Sequence, residues 1–101
     1  MDKKYIVSLT SRAIRDLDGI YAYIAESLKE RATAEALIEE IEKQILSLDE
    51  FPYRCPERRV GAYANKGYRQ LMVKNFTAVY RIDEEKKRVI VITVRYSRSQ
   101  F

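Results

Sequence analysis

The chain contains no histidine and no tryptophan, and only one cysteine, two prolines and three glycines among 101 residues. Each shortage excludes something. Without histidine there is no imidazole general base and no Ser-His-Asp triad. Zinc sites built on histidine, or on several cysteines, are excluded as well. The lone Cys55 permits no intramolecular disulfide, so a disulfide-stapled secreted scaffold is ruled out. The scarcity of Gly and Pro argues against collagen-like and low-complexity chains. No apolar run approaches the roughly 20 residues that span a bilayer. The apolar stretch after Met1-Asp2-Lys3-Lys4 is shorter than a signal-peptide core. A cytoplasmic protein with no membrane partner is expected.

What is present is a globular composition, 47% apolar and 34% charged, with eight tyrosines. Neither a repeat nor a linker interrupts residues 1–101, and about 100 residues is the usual size of one domain. A single domain is expected. The net charge of +4 is unevenly placed. Residues 1–50 carry seven Lys/Arg against eleven Asp/Glu, and residues 51–101 carry twelve against four. A basic half with interleaved tyrosines suits contact with nucleic acid or with an acidic partner; basic residues that merely solvate a sheet are the plainer alternative.

Residues 4–9 read as a short strand, with Tyr5, Val7 and Leu9 on one face. Thr10 and Ser11 offer helix-capping hydroxyls. Ile14, Leu17, Tyr21, Ile24 and Leu28 then recur at helical spacing as one apolar stripe. Thr33 is positioned to cap a second helix with a stripe of Ala34, Leu37, Ile38, Ile41, Ile45 and Leu48. Glu39 and Lys43 are spaced for an ion pair on its outer face. Pro52 ends this helix, because the residue before a proline avoids helical geometry. Residues 52–67 are irregular and basic. Three strands follow, over 68–74, 76–82 and 88–96, with Asn75 suited to a left-handed turn position. The last strand is apolar on both faces and belongs in the middle of the sheet. The predicted order is β-α-α-β-β-β. It defines an α+β fold, a helical hairpin packed on a mostly antiparallel four-stranded sheet.

The candidate target-binding residues are Arg69, Lys74, Arg81, Arg95, Tyr96 and Arg98, from successive strands and the segment after them. Neighbouring strands lie only about 5 Å apart, so these cations can converge, with the pleat deciding which share a face. Planar guanidinium groups make paired, charge-assisted bonds to phosphates. Tyr68, Tyr80 and Tyr96 offer stacking or a hydroxyl, but Tyr80 is in register with Phe76, Ala78 and Ile82 and reads as core. Glu35, Glu39 and Glu42 share one helix face opposite the apolar stripe and read as solvated, so no metal is expected. No residue pattern suggests a cofactor, and Cys55 has no histidine to activate it.

Taken together, the residues resemble the RelE/ParE superfamily of toxins from bacterial type II toxin–antitoxin systems. The resemblance runs over nearly the whole chain. It rests on Tyr5-Ile-Val-Ser-Leu-Thr-Ser-Arg-Ala, Asp16-Leu, Tyr23-Ile24, Phe51-Pro52 with Pro56, Gly67-Tyr-Arg-Gln-Leu-Met-Val-Lys-Asn-Phe, Val79-Tyr-Arg-Ile-Asp and Val94-Arg-Tyr-Ser-Arg. It implies growth inhibition and plasmid stabilisation, neutralised by a cognate antitoxin whose partly disordered segment wraps the toxin. It also implies one of two targets. ParE-like members inhibit DNA gyrase, and RelE-like members enter the ribosome and cut mRNA as metal-independent endoribonucleases. The ParE-like activity fits this chain better. As a nuclease, it would rely on Arg69, Arg81, Tyr96 and Arg98, with Tyr96, Lys74 or Glu57 for proton transfer. Nuclease relatives often carry an Arg where this chain has Thr77, and some a His or Tyr where it has Ser97 and Arg98.

Overall fold

The computed structural model describes residues 4–98. Strand β1 (Ile6–Leu9) leads into helix α1 (Ser11–Ala22), one π-helical turn (Tyr23–Ser27) and helix α2 (Arg31–Leu46). Two 3-10 turns, Ser47–Asp49 and Pro52–Arg54, open the irregular segment, and strands β2 (Arg69–Val73), β3 (Phe76–Asp83) and β4 (Arg88–Tyr96) complete the sheet. The strand order is β1-β4-β3-β2. β1 runs parallel to β4, while β2–β3 and β3–β4 are antiparallel. The expected α+β fold is therefore present, with β4 paired on both sides.

The core lies between the helices and one face of the sheet. Ala13 and Leu17 from α1, Ile41 and Ile45 from α2, and Leu48 just beyond meet Leu71, Val73, Ala78, Tyr80, Val89, Val91 and Val94. Burying one such aliphatic side chain is worth roughly 1.5–3 kcal/mol, so these contacts, more than helix propensity, hold the hairpin down. Tyr80 is fully buried, and its hydroxyl donates to the Pro52 carbonyl at 2.6 Å. Burial, followed by the neighbouring Cys55 thiol, pushes this phenol's pKa well above its usual range.

Several local expectations are corrected. Ile14 and Leu28 are 50% and 51% exposed, because the small Ala13 takes the contact with the sheet and α1 gives way to the π-helical turn before Leu28. Thr33 does not cap α2; the flanking position is Glu30, and the Thr33 hydroxyl donates to its carboxylate at 3.2 Å. Glu39 and Lys43 form no ion pair, and the bond at that spacing runs from Gln44 to Glu40 at 2.9 Å. In the β2–β3 turn it is Lys74, with φ of 52°, that adopts the left-handed conformation, not Asn75. The residue before Pro52 does avoid helical geometry, since Phe51 is left-handed with φ of 53°.

Thr10 caps α1 as expected and also fastens it to the sheet. Its hydroxyl accepts from Ala13 N at 3.1 Å and donates to the Ile92 carbonyl at 2.8 Å. At this point β4 bulges. Val79 pairs with Thr93 but Tyr80 pairs with Val91, leaving Ile92 as the extra residue. β1 ends at Leu9, opposite Val91, and α1 covers the edge of β4 that continues beyond it. There the Asp16 carboxylate accepts from the Val94 amide at 3.1 Å and from the Thr93 hydroxyl. The edge is thus closed by a side chain where no further strand is available.

Candidate functional site

The six candidate residues do not form one cluster; the pleat and the turns distribute them over separate surfaces. Cross-strand partners share a face, so Met72, Thr77 and Arg95 lie on the open side of the sheet, away from the core. Arg81 alternates with Thr77 and lies on that side too, exposed to solvent. Tyr96 pairs with Phe76 on the opposite, helix-facing side, where their rings meet edge to face with centroids 5.7 Å apart. Lys74 sits in the β2–β3 turn and Arg98 in the turn after β4, both exposed.

Arg69 pairs with Tyr80, on the core side, and is engaged with the irregular segment. Its guanidinium donates to the carbonyls of Cys55 at 2.6 Å and Tyr53 at 3.3 Å. It also lies over the Tyr53 ring, 5.1 Å from the centroid, and forms an ion pair with Glu57. Charge-assisted bonds of this kind fix a loop that has little regular structure of its own. Arg54 does similar work nearby, bonding to Ser47 Oγ at 2.7 Å and the Glu50 carbonyl at 2.8 Å.

Two cavities border the candidate residues. The first, about 850 Å³, opens between the helical hairpin and the end of the sheet. Ile20, Tyr23 and Ile24 line one wall, and Phe76, Val94 and Tyr96 the other. Arg15, Lys74 and Arg95 border it with positive charge, whereas the Asp16 carboxylate there is engaged by β4. The π-helical turn, marked by the bond from Leu28 N to the Tyr23 carbonyl, places Tyr23 and Ile24 on the groove wall.

The second cavity, about 860 Å³, lies on the open side between segment 56–61 and the residues Gln70, Met72, Thr77 and Ser97. Arg58 enters it from the loop and is only 8% exposed. Its guanidinium donates to the Ala62 carbonyl and, at 3.0 Å, to Gln70 Oε1. Burial, and then the charge of Arg95, lower its pKa. Thr77 and Ser97 hydroxyls are hydrogen-bonded at 2.8 Å, and Thr77 also donates to the Met72 sulfur at 3.2 Å. From the sequence, Arg58 reads only as one of the basic residues of the irregular segment 52–67, with Arg54, Arg59 and Lys66.

At the opposite end of the sheet, the hydroxyls of Tyr5 and Tyr53 both donate to Glu84 Oε1, at 2.7 and 2.8 Å. Lys87 pairs with the same carboxylate and lies over the Tyr5 ring. Lys87, followed by the two tyrosines, draws the Glu84 pKa down to about 2. Among the described residues no group of His, Cys, Asp and Glu could hold a metal ion, and no helix is long and apolar enough to cross a membrane.

A small α+β domain with a helical hairpin on a mixed sheet has clear counterparts. The family model described as the ParE toxin of the type II toxin–antitoxin system, parDE, matches residues 7–101. The chain belongs to this ParE toxin family. Its fold is similar to a chain of the chromosomal ParDE system from P. aeruginosa, with TM-score 0.76 and 21% identity over 94% of this chain and 98% of that one. It is also similar to a chain of the RelBE2 toxin–antitoxin complex from Mycobacterium tuberculosis, with TM-score 0.66 and 21% identity over 92% and 98%. A mutant of E. coli RelE in the free state follows at TM-score 0.61 and 16% identity, over 94% and 85%. No curated protein sequence matches the chain.

Proposed function

We propose that this toxin blocks growth by binding and inhibiting DNA gyrase, and that a cognate antitoxin neutralises it by occupying the apolar groove. The observation that carries the gyrase reading is the division of the candidate nuclease residues. Arg81 is on the open face, Tyr96 on the helix-facing side, Arg69 in the loop anchor and Arg98 in a turn. General acid–base cleavage needs its proton donor, acceptor and phosphate-binding cation at one reacting centre. Thr77 and Ser97 are hydrogen-bonded to each other, and the Glu57 carboxylate is paired with Arg69. Inhibition by binding needs no such assembly. It needs a charged surface, which Arg81 and Arg95 on the open face supply. The ParE family match supports the same reading.

The antitoxin reading rests on the groove's chemistry. Its walls are apolar and its border is cationic, so it suits an acidic amphipathic segment laying its apolar side chains inward. Solved relatives include a RelBE2 toxin–antitoxin complex, which supports such a partner.

Parallel pulse-labelling of DNA and protein synthesis after induction tests the target. Gyrase inhibition predicts that DNA synthesis fails first while translation continues, and that purified toxin suppresses supercoiling by gyrase. Early arrest of translation, with new mRNA ends inside codons, would replace this reading with the RelE-like mRNA endonuclease.

A further inference from the structure

We infer that Gly19 is a recognition position of the apolar groove, its bare backbone seating one large apolar side chain from an amphipathic helix of the antitoxin. This seat rests on the antitoxin reading above and adds to it the point of closest approach between the two chains.

Among the described residues nothing requires a glycine at this position. Gly19 lies inside α1, and the glycines with positive φ are Gly61 and Gly67. A methyl group at Gly19 would meet no heavy atom within 4 Å outside its own stretch of helix. An interior glycine is also the weakest helix former after proline, because it loses the most backbone freedom on folding. Alanine would therefore fit here and hold α1 more firmly. The chain forgoes that gain at an exposed position on the wall of its groove.

Arg15, Gly19 and Tyr23 follow one another at four-residue spacing, so they form one ridge along α1, and all three line the groove. Gly19 leaves a one-residue gap in that ridge. The Arg15 stem borders the gap on one side and the Tyr23 ring, 59% exposed, on the other. Packed helices set the side chains of one into the gaps of the other, which makes a helix the fitting occupant. The side chain entering this gap lies on backbone that is already bonded, since the Gly19 carbonyl accepts from the Tyr23 amide. An apolar side chain covers it without stranding that acceptor. Charge completes the match. Arg15 and Lys74 border the groove, and neither is ion-paired among the described residues. The seated helix therefore carries carboxylates beside its apolar face, and their pairing with these cations sets its register.

Binding of the purified cognate antitoxin to full-length Gly19→Ala and Gly19→Leu toxin, with urea unfolding of each toxin alone, tests the seat. The Gly19→Ala toxin is expected to unfold at a higher urea midpoint and yet to bind about tenfold more weakly. The Gly19→Leu toxin, which fills the gap, is expected to lose more affinity than Gly19→Ala. A role confined to the toxin's own helix would move stability and leave affinity alone. Wild-type affinity in either glycine variant, or a lowered midpoint for Gly19→Ala, would overturn the proposal. Ile24→Asp separates the two readings. Wild-type affinity in the glycine variants beside weakened binding in Ile24→Asp removes the seat and keeps the groove, whereas wild-type affinity in all three removes both.

Discussion

Asp16 and Val94, 78 residues apart, are joined through the Asp16 carboxylate and the Val94 amide at 3.1 Å. The same carboxylate oxygen accepts from Thr93, which is fully buried. One side chain therefore completes the backbone bonding of β4 where β1 has ended. Asp16→Ala removes the acceptor for both donors, and stranding buried donors costs about 1–3 kcal/mol. Urea unfolding should show the midpoint falling accordingly, with a smaller fall for Asp16→Asn, which keeps a carbonyl acceptor. A wild-type midpoint for the alanine variant would mean that something other than Asp16 closes the edge.

The Glu84 cluster predicts acid sensitivity with a definite sign. Its pKa is drawn from the ordinary 4.5 to about 2, so folding favours the ionised form. Its stabilising contribution is fully present above about pH 4.5 and is lost as the pH falls toward 2. The Tyr5 and Tyr53 hydroxyls are pushed above 10.0 chiefly by donation to the same carboxylate. Their contribution is fully present below that pH and is lost as the pH rises through their raised values. The Glu84→Gln variant should show a flatter stability profile between pH 4.5 and 2, measured as the denaturation midpoint at each pH. An unchanged slope there would assign the acid sensitivity to other carboxylates.

The groove predicts how antitoxin binding responds to substitution. Ile24→Asp places a charge on an apolar wall and should weaken antitoxin affinity by about tenfold or more, in line with losses at buried interface positions. Lys74→Asn removes charge but keeps a residue that tolerates the left-handed turn, and should weaken binding less. The lysine effect should also shrink as salt is raised, because exposed charges are screened. Affinity measurements with the cognate antitoxin, beside thermal unfolding of each toxin variant, provide the check. Wild-type affinity in both variants would place the antitoxin elsewhere.

Much of the fold was legible because apolar spacing reports secondary structure directly. Of the second helix's expected stripe, Ala34, Ile41 and Ile45 are buried within the helix and Leu48 in the 3-10 turn after it, and Tyr80 is core as its register required. The first helix was less legible. Its stripe assumes an unbroken 3.6-residue period, which the π-helical turn at Tyr23–Ser27 interrupts. Ala13 was overlooked because a small side chain gives little periodic signal, although close approach to the sheet favours one. The candidate site was read only as a pool of residues. Their distribution depends on strand pairing and on parity, and neither follows from local composition. The loop anchor made by Arg69 depends on contacts 14 and 16 residues away, which strand periodicity does not report.

The bulge at Ile92 also divides β4 by purpose. Before it, Val89 and Val91 face the core; after it, Val94 and Tyr96 do, while Arg95 turns to the open side. The same sequence paired without the bulge would alternate unbroken beyond Val91 and send Arg95 inward beneath the helices. Deleting Ile92 instead would remove the extra residue and the bulge together, leaving Val94 and Tyr96 toward the core and Arg95 on the open side. The bulge acts as an address, fixing which surface receives each side chain that follows Val91.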